Sequence, residues 1–299
     1  MDRKERFDIA DRVIRIGLII NALLMAMKLF AGYFGNSEAV FADGVESAVD
    51  FVAISTSLVA LRIGRKPFDE QHPYGHGRAE SIAAIVVSFL IFLSGAAILV
   101  RAAHTVLTGT SQTPQLIAVA AACVTIVIKE SLYRYSTRSG KRLDSPVLLA
   151  AAKDHRKDAL TSIGTLVGVT GAFFGIAVMD PLAAGLTSFF IFHIGYQTFT
   201  SAVHDLMDGM PQGDFISSLA ELTGAVDGVM HVHEIKARRS GQYVIVDLKL
   251  DMDPEMTVKE SHAIATEVKC RIFEKFSNVG DVMIHINPHE EEHEDLIRL

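Results

Sequence analysis

The chain has 299 residues, of which 49% are hydrophobic and 21% are charged, and its formal net charge is −7 at pH 7. Its mean hydropathy of +0.30 is high for a soluble protein of this length. The acidic balance argues against a nucleic-acid-binding protein. Cys123 and Cys270 lie far apart, so we expect neither a disulfide framework nor a cysteine zinc site. The composition indicates an integral membrane protein.

Six stretches of the sequence are long and apolar enough to cross a bilayer, which takes about 20 helical residues. The predicted spans are about 13–34, 38–63, 79–103, 115–135, 146–172 and 177–203. The first stretch is longer than the apolar part of a secretory signal and lacks a small-residue cleavage site. We therefore expect it to remain in the protein as a span.

Basic residues predict the orientation of these spans. Three segments contain four lysines or arginines each, namely 1–13, 62–78 and 134–142. The connections on the opposite side contain none. By the positive-inside rule, both termini and the 62–78 loop face the cytoplasm. We expect a multi-pass protein of the cell (inner) membrane, surrounded by the lipid bilayer.

The character of the sequence changes after Asp208, where the glycine- and proline-containing run 209–213 breaks helical structure. We predict a transmembrane domain in residues 1–208 and a cytoplasmic α+β domain in residues 209–299. The elements predicted for the second domain are a helix at 214–226, strands at 229–238 and 243–252, a helix from a Thr257–Glu260 capping box to about Phe276, and a strand around Val282–Ile286. This αββαβ order is typical of a ferredoxin-like or metallochaperone-like open-faced sandwich.

Carboxylates interrupt two of the apolar stretches. Glu46 and Asp50 lie four residues apart in the second, and Asp154 and Asp158 lie four apart in the fifth. Each pair therefore occupies one helix face. An ionised side chain near the bilayer centre costs about 2.5–3.5 kcal/mol, so four carboxylates require a compensating partner. Two such faces that meet between helices would supply the oxygen ligands of a divalent cation.

The residues themselves leave alternatives to this interpretation. The acids could instead lie in headgroup water or pair with the neighbouring basic residues, which are Lys153, Arg156 and Lys157. His155 lies three residues before Asp158, so it could face the site in place of Asp154 or carry a proton. We expect Asp43 to point elsewhere on its helix.

The loop after the second span contains Asp69, His72 and His76. One carboxylate and two imidazoles at this spacing could hold zinc or a similar cation with one coordination position open. A loop rich in proline, glycine and histidine could equally serve only as a turn between helices.

The order of these features resembles the cation diffusion facilitator family of divalent metal/proton antiporters. The shared features are the acidic pair of the second span, the Asp-x-x-His-x-x-x-His-Gly-Arg loop, the segment 154–162, Asp180–Pro181, the segment 206–208 and the αββαβ tail. The resemblance implies a homodimer of six-span chains, with a transport site between the second and fifth helices and a cytoplasmic metal-sensing domain.

The resemblance also implies roles for individual residues. Its transport site corresponds to Glu46, Asp50, Asp154 and Asp158, and its loop site to Asp69, His72 and His76. Its cytoplasmic metal ligands correspond to His233, Asp247, His262, His285 and Asn287. Arg78 and Asp208 resemble an interlocking charge pair of the dimer. We interpret the other tail histidines as solvated residues, namely His231, His289 and His293.

The transport positions depart from those of zinc-type relatives, which usually carry histidine at the position of Asp154 and histidine or aspartate at that of Glu46. Oxygen ligands suit manganese and ferrous iron, whereas zinc prefers nitrogen or sulfur. We therefore expect Mn²⁺ or Fe²⁺ as the divalent cation, with Zn²⁺ less favoured. The same departures resemble relatives of magnetosome membranes, which makes that type of membrane an alternative location.

Carboxylates bind metal when deprotonated, so metal entry releases protons and protonation expels the metal. This chemistry predicts a secondary transporter that exports the cation from the cytoplasm in exchange for protons by alternating access. The alternative is a membrane scaffold or metal sensor that does not transport. We do not expect an enzyme, because hydrolysis inside the membrane needs a general base and an open coordination position beside a scissile bond, and the sequence shows no Ser/Lys arrangement for it.

Overall fold

A computed structural model describes residues 3–143, 145–211 and 213–289 of the chain. His293 lies outside these residues. The described elements are α1 (Arg3–Phe34), α2 (Glu38–Gly64), α3 (Ala79–Thr108), α4 (Leu116–Leu143), α5 (Pro146–Phe173), α6 (Met179–Leu206), α7 (Phe215–Gly224), β1 (His231–Ser240), β2 (Tyr243–Met252), α8 (Val258–Lys275) and β3 (Val279–Pro288).

Each of the six predicted spans is a helix, and the tail has the predicted αββαβ order. Helices α1 to α4 are apolar and long enough to cross a membrane. Helices α5 and α6 have 28 residues each, and α5 contains the charged run 153–158. The second predicted strand coincides with β2, and α8 ends at Lys275, one residue before the predicted end.

The chain divides into two compact units. The first comprises residues 1–55 and 86–198, and the second comprises residues 56–85 and 199–299. The first unit therefore contains α1, α4, α5 and most of α2, α3 and α6. The second contains the remaining ends of those three helices, the loop between α2 and α3, and the αββαβ tail.

In the first unit, Asp180 of α6 holds the beginning of α2. Its Oδ2 accepts a hydrogen bond from the backbone N–H of Glu38 at 2.6 Å, and its Oδ1 accepts one from the Ser37 hydroxyl at 2.6 Å. A carboxylate at this end satisfies an otherwise unpaired N–H group and interacts favourably with the helix dipole. Asp180 therefore has a structural role in joining α2 to α6.

A buried ion pair links α1, α2 and α5. Lys28 Nζ lies 2.8 Å from Asp43 Oδ1 and donates to the Ser47 hydroxyl at 3.1 Å. The Ser162 hydroxyl donates to the other oxygen of Asp43 at 3.0 Å. Lys28 is 2% exposed and Asp43 is 4% exposed. Both oxygens of Asp43 are therefore occupied by partners from other helices, in agreement with its predicted separate orientation.

Small residues allow neighbouring helices of this unit to approach closely. A Cβ atom on Gly32 of α1 would clash with the backbone of Phe41 in α2, and one on Gly168 of α5 would clash with Ala183 in α6. Contacts of this kind are typical of helices that associate inside membranes, where close van der Waals packing replaces the hydrophobic driving force.

In the second unit, the tail forms a three-stranded sheet in the order β1–β2–β3. Strand β2 pairs antiparallel with β1 and parallel with β3. Helix α8 connects β2 to β3 along the chain. Val246, Leu248 and Leu250 pack in one core with Leu219 of α7 and Ile272 of α8. Because side chains alternate along a strand, the intervening residues of β2 face the opposite side of the sheet.

The capping box at the beginning of α8 is confirmed. The Thr257 side chain accepts from the backbone N–H of Glu260, and Glu260 Oε2 accepts from the backbone N–H of Thr257 at 2.9 Å. The Thr257 hydroxyl also donates to the same carboxylate, which lowers the pKa of Glu260 below its ordinary value. Glu260 is therefore held in its ionised form at the start of the helix.

The buried Lys28–Asp43 pair leads to a stability prediction. Replacement of Lys28 by Met leaves Asp43 buried without its cation, and loss of one member of a buried pair costs about 3–5 kcal/mol. We expect a clearly lower unfolding temperature for the purified chain in detergent. The double variant Lys28→Met/Asp43→Leu should recover part of the loss, because it removes the uncompensated charge as well.

Arg15→Met is the matched control, since Arg15 pairs with Asp11 at a site where both side chains are more than half exposed. Exposed substitutions usually change stability by less than about 0.5 kcal/mol. An equal loss in the Arg15 and Lys28 variants would contradict a special role for the buried pair.

Candidate metal sites

Three of the four acids predicted for the transport site lie in one region of the first unit. Asp158 of α5 is close enough to Glu46 and Asp50 of α2 for their charges to interact. The i, i+4 spacing places both α2 acids on the same helix face. Glu46 is buried, Asp158 is partly buried and Asp50 is exposed. This region therefore concentrates carboxyl groups between two apolar helices.

Helix α5 turns His155 into the protein interior and leaves Asp154 exposed. His155 is 7% exposed and lies beside Gly17 of α1. Among the described residues, the acids of α2 and α5 do not form a group whose ligand atoms all lie within 4.8 Å. The assignment of Asp154 as a ligand therefore stays a prediction from the family resemblance.

Two lysines that the sequence analysis did not consider neutralise acids of these helices. In addition to Lys28, Lys129 of α4 lies 2.6 Å from Asp158 Oδ2 and donates to Asn21 Oδ1 of α1 at 2.9 Å. Lys129 is 4% exposed. The sequence contained a signal for both lysines. Like the acids, each lysine interrupts an apolar stretch, where an uncompensated charge is costly.

The basic run of α5 does not supply the ion pair of Asp158, which comes from α4. Arg156 instead pairs with Glu130 of α4, and its guanidinium lies 5.1 Å from the ring centre of Tyr133. Lys157 is close enough to Asp50 for their charges to interact. The sequence left open that the membrane acids pair with Lys153, Arg156 and Lys157. Of these three residues, Lys157 is the one whose described contacts support such pairing, through Asp50.

In the second unit, the loop residues Asp69, His72 and His76 come together. One ligand atom from each lies within 4.8 Å of the other two. His72 Nδ1 is 3.1 Å from Asp69 Oδ1, and His76 Nε2 is 3.5 Å from Asp69 Oδ2. The two imidazole rings lie 4.4 Å apart between their centres. The arrangement offers one oxygen and two nitrogen ligands to a cation.

The backbone of the same loop orients Asp69. The backbone N–H groups of His72 and Gln71 donate to Asp69 Oδ1 at 2.7 and 3.0 Å. The bond from His72 lowers the pKa of the Asp69 carboxyl below its ordinary value. The loop then turns through Gly75, whose φ of +80° strongly favours glycine. The turn and the candidate metal site are therefore compatible uses of one loop.

Arg78 and Asp208, predicted as a charge pair of the dimer, form an ion pair within one chain. Arg78 also donates to the backbone carbonyl of Leu206 at 3.0 Å, and Arg238 of β1 lies 3.6 Å from the second oxygen of Asp208. Asp208 has a φ of 56°, which is uncommon for a residue other than glycine. The contacts tie the end of α6 to the loop and to the sheet within the second unit.

The predicted cytoplasmic ligands are not gathered within one chain. Asp247 and His285 are exposed and lie on the face of the sheet that points away from α8, whereas His262 is exposed on α8 itself. Since α8 covers the other face, Asp247 and His262 lie on opposite sides of the sheet. Their assignment to one metal cluster therefore stays a prediction that requires a second chain.

The other two predicted ligands, His233 and Asn287, lie at one end of the sheet around Asp251. Ligand atoms of His231, His233 and Asp251 all lie within 4.8 Å of one another. Sequence reasoning missed His231 and Asp251. Part of the signal was present, because Asp251 follows Asp247 by four residues and therefore lies on the same strand face. Its pairing with His231 depends on strand register, which only the structure supplies.

Comparison with protein families accounts for most of the chain. Residues 14–207 match the family model described as the cation efflux transmembrane domain. Residues 211–289 match the model described as the cytoplasmic domain of cation efflux proteins. Neither description is that of an enzyme. The predicted fold class, a helical membrane domain followed by a small α+β domain, is confirmed.

Individual relatives cover nearly the full length. The manganese efflux system protein MneP of Bacillus subtilis is 37% identical to this chain, over 96% of this chain and 99% of its own length. The manganese efflux system protein MneS of the same organism is 34% identical, over 97% of this chain and 100% of its own length. Magnetosome protein MamB of Magnetospirillum gryphiswaldense is 30% identical over 88% of this chain and 90% of its own length. A solved MamM CTD variant in its nickel form is 25% identical with a TM-score of 0.25, over 25% of this chain and 95% of that chain.

Proposed function

We propose that this chain, which belongs to the cation efflux (cation diffusion facilitator) family, exports Mn²⁺ or Fe²⁺ from the cytoplasm in exchange for protons. The acids of α2 and α5 carry the proposal. Glu46, Asp50 and Asp158 lie near one another inside apolar helices, where carboxylates persist only with a compensating partner. A divalent cation that passes through the membrane is such a partner.

Ligand chemistry and the relatives both support manganese or iron over zinc. The candidate site offers carboxylate oxygens, which are hard ligands suited to Mn²⁺ and Fe²⁺. Two relatives that match nearly the whole chain are named as manganese efflux proteins. The proposal is therefore a metal exporter whose cargo is selected by oxygen ligands at Glu46, Asp50, Asp154 and Asp158.

Proton exchange follows from the same carboxylates. A carboxylate binds metal in its deprotonated form, so uptake of a cation from the cytoplasm displaces protons. Protons that enter from the opposite side would neutralise the acids and release the cation there. Movement of α2 and α5 between two orientations would give the alternating access that this cycle requires, with His155 available to carry a proton.

Lys129 adds a competitor for the cation. Its ammonium group lies 2.6 Å from Asp158, and both an ammonium and a divalent cation are attracted to the same carboxylate. We infer that Lys129 must move away from Asp158 when a cation binds there. Lys129 would then keep Asp158 compensated when the cation leaves, which avoids an isolated charge inside the membrane.

A homodimer in the cell membrane completes the proposal. The cytoplasmic family domain spans residues 211–289, and the distribution of basic segments supports a cytoplasmic location for both termini. The loop set of Asp69, His72 and His76, together with metal at the tail, would let cytoplasmic metal influence transport. The alternative of a scaffold or sensor without transport is separated from this proposal by the experiment that follows.

Asp50→Asn and Asp158→Asn each remove one negative ligand with little change in volume. We expect either variant to reduce proton-driven Mn²⁺ flux in proteoliposomes by at least about 100-fold, because a ligand and a proton-exchange group are lost together. Asp11→Asn, in which an exposed acid of α1 is changed, is the matched control. Unchanged flux in both site variants would contradict the transport site, and absence of flux in the parent chain would favour the scaffold.

Glu46→His tests the metal selectivity of the site. The change replaces an oxygen ligand by nitrogen, so the ratio of Zn²⁺ to Mn²⁺ transport should rise by about tenfold, equivalent to about 1.4 kcal/mol. The measurement is the initial rate of flux for each metal in the same proteoliposomes. If the metal profile does not change while transport is retained, Glu46 is not a ligand.

Lys129→Met tests the competition for Asp158. Removal of the ammonium should strengthen Mn²⁺ binding to the purified chain by roughly tenfold, the effect of about 1.4 kcal/mol of lost competition. Isothermal titration calorimetry measures the affinity, and Lys153→Met, at an exposed lysine of α5, is the matched control. Equal affinity in the parent chain and the Lys129 variant would show that the ammonium does not oppose metal binding.

A further inference from the structure

Three histidines surround one carboxylate at the end of the tail sheet. His231 Nδ1, His233 Nδ1 and His289 Nδ1 lie 3.2, 3.7 and 3.7 Å from the same atom, Asp251 Oδ2. Ligand atoms of His231, His233 and Asp251 also lie within 4.8 Å of each other. The three members of this group come from the beginning of β1 and the end of β2, and His289, just after β3, approaches the same carboxylate from outside the group.

Backbone contacts hold these chain segments in place. The N–H of Met230, just before β1, donates to the carbonyl of Asp251 at 2.9 Å, and the N–H of His289, just after β3, donates to the carbonyl of Met252 at 2.8 Å. The register of β1 on β2 shifts between Val232 and Glu234. This bulge redirects the strand at His233, so that His231 and His233 both reach Asp251.

The spacing of His231, His233 and Asp251 is that of ligands around one ion. In a tetrahedral site with metal–ligand distances of about 2.0–2.1 Å, neighbouring ligand atoms are separated by about 3.4 Å. The three distances to Asp251 Oδ2 lie on either side of this value.

Asn287 orients the carboxylate for this role. Asn287 is 2% exposed, and its amide nitrogen lies 3.4 Å from Asp251 Oδ1. The contact occupies the first oxygen of Asp251 and leaves the second directed toward the histidines. Hydrogen bonds to the outer oxygen of a ligating carboxylate are a common feature of metal sites. Asn287 is therefore a positioning residue in this arrangement.

We propose that His231, His233 and Asp251 form a binding site for a zinc-class cation within a single chain, and that His289, which lies beside the same carboxylate, moves in to complete it. Three imidazole nitrogens and one carboxylate oxygen suit Zn²⁺, Co²⁺ or Ni²⁺ better than Mn²⁺. Of the cytoplasmic ligands that the family resemblance implies, this site uses only His233. It goes beyond the proposed export function, because it binds a softer class of metal than the acids of α2 and α5 favour.

Such a site would connect parts of the tail that the sheet joins only by hydrogen bonds at its end. A bound cation would link the segment that leads into β1 with the chain that leaves β3. The metal would therefore stabilise the end of the sheet and let the tail respond to zinc-class ions independently of the exported cation.

Titration of the full-length chain in detergent with Co²⁺ tests the proposal, because tetrahedral Co²⁺ has characteristic visible absorption bands. The chain carries Asp50→Ala and His72→Ala, which remove ligands of the membrane and loop sites. We expect one equivalent of Co²⁺ to produce the tetrahedral spectrum and Zn²⁺ to displace it. His231→Ala and Asp251→Asn should each abolish the bands, and His289→Ala should weaken binding by at least about tenfold, the effect of 1.4 kcal/mol.

His104→Ala, which changes an exposed histidine of α3, is the matched control and should leave the spectrum unchanged. Circular dichroism and gel filtration of each variant establish that the chain remains folded. Tetrahedral bands that survive both His231→Ala and Asp251→Asn would overturn the proposal. So would bands that disappear in His285→Ala but persist in His231→Ala, since the metal would then occupy the cluster implied by the resemblance. The absence of bands in the starting chain would also overturn it, whatever the outcome of the flux measurements.

Discussion

Compensation of charge inside apolar helices is the constraint on which the first unit depends. Lys28 pairs with Asp43, and Lys129 pairs with Asp158, in both cases between different helices. An isolated charge at such a position would cost several kcal/mol, so each pair requires its helices to remain together. Glu46 and Asp50 add further carboxyl groups to the same region. The requirement for compensation therefore stabilises the helices and also makes their interior attractive to a cation.

The two units offer cations different ligands. In the first unit, acids and lysines lie between apolar helices, which favours a hard divalent cation that can exchange with protons. In the second unit, imidazoles predominate, in the loop around Asp69 and at the sheet end around Asp251. Under the two proposals, export of metal and its binding by the tail depend on different ligand chemistry in one chain, so that the tail need not compete for the exported ion.

Much of the fold could be predicted because it depends on short-range patterns. Apolar length indicated the helices, alternation indicated β2, and the Thr257–Glu260 box indicated the beginning of α8. The candidate membrane acids were visible for a similar reason, since a carboxylate in an apolar stretch is costly wherever the helix packs. The family matches agree with the resemblance that these patterns suggested.

The sequence by itself determined the elements, the acidic pairs and the loop residues, because each is a matter of spacing over a few residues along a helix, strand or turn. Only the tertiary structure decided which charges meet. Lys129 and Asp158 are 29 residues apart, and Asp43 and Ser162 are 119 apart. The cluster at Asp251 likewise depends on strand register and a bulge. Contacts between distant segments depend on how helices and strands pack, which local periodicity does not specify.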